Sequence, residues 1–165
     1  MKKKEGKDVL IEKRWRGFQS HLGYTDEELA LHRSNHKHVK AMEASANFAK
    51  YLTVVEVIES VNCGSGYKKG DKFVVDSEGC LVIEECPRRL CVAAIASLKV
   101  LVDRMWQAFY DDRADVLHDT VRCPDVGVRR GGWGEVTMRV RAVKKVGAST
   151  AKTTPNSDGK WLRRR

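Results

Sequence analysis

The chain lacks any apolar run that could cross a membrane. Its longest nearly apolar stretch, residues 90–106, is broken by Lys99 and Asp103, which excludes a transmembrane span. No apolar segment follows the opening Met1-Lys-Lys-Lys-Glu, so the start does not read as a secretory signal. No large internal repeat is visible. The catalytic signatures are missing too: there is no HExxH helix, no GxSxG elbow, no GxGxxG or GxxxxGK[ST] loop, and no CxxC pair. Zincin-type hydrolysis, serine-hydrolase chemistry and nucleotide binding through those loops are therefore not indicated.

What is present is a chain of 165 residues, 42% hydrophobic and 32% charged. That balance is too apolar for a disordered protein and too polar for a membrane protein. The length suits one modest domain with extensions. The net charge of +9 is unevenly placed. Residues 1–50 carry 11 Lys/Arg against 7 Asp/Glu, residues 51–145 carry 15 against 14, and residues 146–165 carry 5 against 1. The middle is close to neutral and the excess lies at the ends, in Lys2-Lys3-Lys4 and Arg163-Arg164-Arg165. Such tails hold phosphates without sequence preference, or serve as a solubilising fringe or a clamp on an acidic partner.

Three stretches separate by pattern. Residues 1–50 are helical in character. Thr25-Asp26-Glu27-Glu28 is a capping box that predicts a helix from about 26 to 33, and Asn35 caps a second helix with Val39, Met42, Ala46 and Ala49 on one face. Neither helix makes a core alone, so both must lie on the middle domain or on another subunit. Residues 51–146 read as strands at 52–58, 72–76 and 80–84, then a long helix with Pro87 in its first turn. Leu90, Ala94, Ile95, Leu98, Val102, Met105 and Phe109 form its apolar stripe. Two further strands follow at 116–123 and 135–143, the second alternating Val136, Met138 and Val140 with Thr137, Arg139 and Arg141. The expected fold is α+β: a small antiparallel sheet packed on one long helix, with an N-terminal helical extension. Residues 147–165 form a basic C-terminal tail.

Five cysteines, Cys63, Cys80, Cys86, Cys91 and Cys123, are the residues richest in chemistry. Their odd number and the absence of a signal favour a reducing, cytoplasmic setting over a disulfide framework. Cys63, Cys86 and Cys123 each sit at an element boundary, where loops converge, and with His118 they make a candidate zinc or iron site. Cys86, beside Pro87, Arg88 and Arg89, is placed at a helix N-terminus, where the macrodipole favours thiolate. It is the best candidate nucleophile. Cys80 and Cys91 read as small buried hydrophobes. His32 and His36 would share a helical face only across Ser34-Asn35, which reads as a helix break, so this group reads as a solvated basic face. Gly131-Gly132-Trp133-Gly134 is a tight loop that presents an aromatic, either closing the core or anchoring an interface.

The segment Cys63-x-x-Gly66-Tyr67-Lys68-x-Gly70-Asp71-x-Phe73, followed by Cys86-Pro87 and Cys123-Pro124-Asp125, resembles a family of small uncharacterised prokaryotic proteins. These carry a C-x-x-G-[HY]-K-x-G-D-x-F segment, a central Cys-Pro and a late Cys-Pro-Asp. The likeness covers about residues 52–143. It implies a small cytosolic α+β domain and a role for Cys63, Cys86 and Cys123, and it brings no established activity. The N-terminal extension, the Gly131–Gly134 loop and the basic tail depart from it, and such additions suit docking.

The leading expectation is an accessory or structural subunit of a larger prokaryotic enzyme complex, or a homo-oligomer. It would dock through the N-terminal helices, Trp133 with Gly131 and Gly132, and Arg163, Arg164 and Arg165. The alternatives are a thiol- or metal-dependent protein using Cys63, Cys86 and Cys123, and nucleic-acid binding through the tails.

Overall fold

The structure, a computed structural model, describes residues 2–145, with side chains from residue 9 onward. Arg163, Arg164, Arg165 and the rest of the expected basic tail lie outside the described residues. The chain is α+β. Three helices, α1 (Lys2–Leu22), α2 (Asp26–Ser34) and α3 (His36–Lys50), lead into β1 (Tyr51–Val61) and β2 (Lys72–Val75). The long helix α4 (Val92–Tyr110) follows, then β3 (Thr120–Arg122) and β4 (Glu135–Lys144). The four strands form one antiparallel sheet in the order β2-β1-β4-β3. Among the described residues no helix is long and apolar enough to cross a membrane.

The sheet and α4 make the main core because their periods match at the contact. Val55 pairs with Phe73 on one side and Val140 on the other, and Val57 faces Met138. These side chains point to one face and are almost wholly buried. On α4, Ala94, Leu98, Val102, Met105 and Phe109 repeat at three and four residues and meet that face. Full burial of each larger side chain contributes about 1.5–3 kcal/mol. Leu90, expected on the same stripe, precedes the helix and is exposed.

Two expected elements differ. Residues 80–84 do not form a strand: Leu81 makes one bridge to Val75, and a short 3-10 turn, Ile83–Glu85, follows. Pairing stops after two backbone bonds, Asp76 N–H to the Cys80 carbonyl and Val82 N–H to the Val74 carbonyl, because the Cys80 N–H goes to Asp76 Oδ1 at 2.9 Å and the Val74 N–H to Cys86 Sγ at 3.4 Å. The long helix also begins at Val92 and not at Pro87, because the backbone at Arg89 and Cys91 is held by the two tertiary contacts described below. The strand expected over 116–123 is confined to Thr120–Arg122.

At the N-terminus the Thr25 capping box forms, with Glu28 N–H donating to Thr25 Oγ1 and Thr25 N–H to Glu28 Oε2. Asn35 ends α2 and caps α3 through Lys37 N–H. Lys2, Lys3 and Lys4, read as a tail, belong to α1. Trp15, Leu29 and Met42 bury one another in a second, smaller core. The helices lie on the middle domain: Phe48 of α3 joins the main core, with its ring 5.2 Å from Phe109 and 5.6 Å from Trp106. The change from helix to strand falls between Lys50 and Tyr51 with no linker. The break at Asn35 rules out the His32–His36 face. Instead His32 and His38 are half-buried and stacked, with ring centroids 3.9 Å apart, so this group is not the solvated face expected.

Candidate functional site

Three connections meet beside the N-terminus of α4: the β1–β2 loop, the segment before α4, and the β3–β4 loop. The first is shaped by the residues of the Cys63–Phe73 motif. Gly66 and Gly70 take φ of +80° and +96°, a region that favours glycine. Asp71 Oδ2 accepts from Lys68 N–H at 2.8 Å and closes the turn. Phe73 is fully buried, and the Tyr67 ring packs edge-on against it at 5.3 Å. Tyr67 then spans two elements. Its hydroxyl donates to the Arg89 carbonyl at 2.8 Å and accepts from the Cys91 N–H at 2.7 Å.

That clamp delays the helix and seats Cys91, not Cys86, at the N-cap of α4. The Cys91 sulfur closes no capping hydrogen bond. Its surroundings nevertheless hold the thiol below the ordinary value. The Ser65 hydroxyl acts most strongly, followed by the N–H of Ala94 and then that of Ala93, against a partial offset from burial; the Arg89 charge adds to the effect. This is the helix N-terminal effect expected for a cysteine in this region, five residues further along the chain. Cys86 behaves in the opposite way. Burial first, then the charges of Glu85 and Glu84, push its thiol up, although the Val74 backbone acts the other way. Its Sγ accepts from Val74 N–H at 3.4 Å, so it serves as an edge cap on β2. The expectation of a reactive Cys86 is corrected on this ground.

The β3–β4 loop forms the far wall, and Asp125 of Cys123-Pro124-Asp125 organises it. Asp125 Oδ1 accepts from Gly127 N–H at 3.1 Å and Trp133 N–H at 2.9 Å, and Oδ2 from Gly134 N–H at 3.1 Å. Those bonds, with that of Gly127 foremost, hold the carboxyl below the ordinary carboxylate range. The glycines are required by close approach: a Cβ on Gly132 would strike Asp125, and one on Gly134 would strike the Asn62 carbonyl. The loop so fixed presents Trp133, which is 83% exposed. Of the two roles expected for Trp133, closing the core does not occur.

Between these walls lies a cavity of about 220 Å³, lined by Cys63, Cys91, Cys123, Asp125 and Trp133 among others. Cys63 and Cys123 of the expected cluster are thus brought together, while Cys86 and His118 lie outside this cavity. The His118 carbonyl accepts from Arg104 Nη1 at 3.0 Å. Among the described residues no three His, Cys, Asp or Glu side chains are arranged to hold a metal ion. Cys63, Cys86, Cys123 and His118 are thus not gathered into one group: Cys86 Sγ lies at the β2 edge against Val74, away from Cys63 and Cys123. The five cysteines are free thiols. In the sequence Cys91 and Cys80 read only as small buried hydrophobes, whereas Cys91 is half-buried and Cys80 exposed. No family model, no curated protein and no solved structure matches the chain.

Proposed function

We propose that this chain is a thiol-dependent protein in which Cys91 is the nucleophile. A soft electrophile, a disulfide sulfur or an activated carbon, would enter the cavity shared with Cys63 and Cys123. The observation that carries this reading is the seat of Cys91: N-cap of a 19-residue helix, beside a hydroxyl and two helix-start N–H groups that favour its thiolate. The thiolate lone pair forms the new sulfur bond and the electrophile's leaving group departs with its own electron pair.

Timed alkylation with iodoacetamide near neutral pH, read peptide by peptide in a mass spectrometer, tests it. Cys91 should react first, ahead of the exposed Cys80. Because its pKa is lowered, its rate should rise and level off at a pH below that of an ordinary thiol. Ser65→Ala should slow it about threefold to tenfold, the worth of one hydrogen bond. A Cys91 no faster than Cys80 would sink the proposal.

A second reading, the accessory subunit, is favoured by Trp133, a large apolar side chain exposed on a rigidly tied loop. Aromatic anchors of this kind dominate protein interfaces. A native mass spectrum of protein from its own cells should then show the chain with a larger partner, and Trp133→Ala should release it. The nucleic-acid alternative rests on terminal charge outside the described side chains.

A further inference from the structure

Resting on Cys91 as the nucleophile, we propose that Cys63 is its resolving partner and that the pair reduces a small hydroperoxide as the two thiols close to a disulfide. The cavity at the start of α4 brings Cys63, Cys91 and Cys123 to one space of about 220 Å³. That is smaller than the roughly 300–1,000 Å³ of drug-sized ligand sites, so it suits a peroxide of a few atoms better than a peptide disulfide. The second thiol also selects the chemistry. A carbon electrophile would leave Cys91 as a thioether, which no neighbouring thiol displaces, whereas a sulfenate is open to attack by one.

Of the three thiols, Cys63 is the one suited to resolve Cys91. The Tyr67 hydroxyl accepts from the Cys91 N–H at 2.7 Å. Burial first, then the charges of Cys91 and Cys63, raise that hydroxyl above its ordinary value, against the bond from the Cys91 N–H, so both thiols act on one oxygen. Ser65, whose hydroxyl acts on the Cys91 thiol, stands two residues from Cys63 on the same loop. That loop has room to move Cys63, because a Cβ on Gly64 or Gly66 would meet nothing within 4 Å. Cys123 lacks this freedom: its N–H donates to the Val136 carbonyl at 2.8 Å and continues the β3–β4 ladder. In the reaction the Cys91 thiolate attacks one peroxide oxygen. The S–O bond forms, the O–O bond breaks, and the other oxygen leaves with the electron pair and takes up a proton. The Cys63 sulfur then attacks the Cys91 sulfur, the S–S bond replaces the S–O bond, and hydroxide leaves with the Cys63 proton as water. The peroxide gains the two electrons that the two thiols lose.

The test treats the reduced full chain with equimolar hydrogen peroxide, blocks remaining thiols with N-ethylmaleimide, and maps peptides by mass spectrometry without reductant. A Cys63–Cys91 linked peptide should appear and be lost on adding dithiothreitol, while Cys80 and Cys123 carry the maleimide. Cys63→Ser should lose the link and accumulate the Cys91 sulfenate, trapped by dimedone. Cys80→Ser should form the link as the wild type does. Iodoacetamide rates on the same reduced sample separate this inference from the one beneath it. If Cys91 alkylates first but is oxidised with Cys63 still free, or joins Cys123, the pairing is overturned and the nucleophile stands. Peroxide consumed no faster by the wild type than by Cys91→Ser overturns the hydroperoxide as substrate. A Cys91 that alkylates no faster than Cys80 removes both.

Discussion

Tyr67 holds two backbone groups with one hydroxyl while its ring is 5% exposed. Tyr67→Phe keeps the ring against Phe73 and leaves the Cys91 N–H and the Arg89 carbonyl unpaired. Both bonds are part-buried, so losing each costs about 1 kcal/mol. The variant should unfold at lower denaturant with an unchanged slope, and its Cys91 should alkylate more slowly because the helix start is no longer fixed beside Ser65. Wild-type behaviour in both measurements would show that the hydroxyl is not the clamp. The same residue explains why Cys91, the proposed nucleophile, is not legible in the sequence. A helix start favours a thiolate, but Pro87 places that start too early and so points to Cys86. What moved it was a side chain more than twenty residues away. Local pattern cannot register a contact of that kind. The resemblance picked out Tyr67 as a motif residue without indicating what it held.

At the scale of elements, legibility followed periodicity. The α4 stripe, the alternation along β4, the capping box at Thr25 and the cap at Asn35 each carry their signal within a few residues, and each formed. Residues 80–84 failed for the converse reason. Their apolar content suits a strand, but the Cys80 and Val74 N–H groups go to the Asp76 carboxylate and the Cys86 sulfur, and the ladder ends after two bonds. The β3–β4 loop was legible only as glycine-rich. Its order comes from Asp125, nine residues before Gly134, and this gives a prediction with a sign. A carboxyl whose pKa is depressed in the folded state contributes stability above its unfolded pKa. That contribution is lost as pH falls through the folded value. The loop should therefore stay closed through the ordinary carboxylate range and open only in stronger acid. Backbone amide shifts of Gly127, Trp133 and Gly134, followed from about pH 6 to about pH 2, should move together with a midpoint below the ordinary Asp value. Asp125→Asn should loosen the loop already at neutral pH. A midpoint at the ordinary value would mean that the three N–H groups do not hold the carboxylate.

On the scale of the whole molecule, the N-terminal helices are unequal in what they contribute. α1 and α2 bury Trp15 and Leu29 mainly against one another and Met42, in a cluster apart from the main core. α3 is different, because Phe48 packs on Trp106, Phe109 and Tyr110. Asn47 Nδ2 also donates to Asp112 Oδ1 at 2.8 Å, tying α3 to the end of α4. Sequence alone left open whether these helices lie on the middle domain or on another subunit, since an apolar face does not name what covers it. The contacts of α3 assign it to the same fold, and this makes truncation informative. Deleting residues 1–34 should leave a cooperatively melting protein with a modestly lower midpoint, because only the smaller core is lost. Deleting residues 1–50 removes Phe48 and uncovers three aromatic rings. Loss of a buried phenylalanine alone costs about 3–5 kcal/mol, a large share of the roughly 5–15 kcal/mol that holds a domain folded. That fragment should melt broadly or associate, as read by circular dichroism and light scattering. A fragment starting at Tyr51 that melts as sharply and as high as the full chain would show that α3 is an attachment to the core and not part of it.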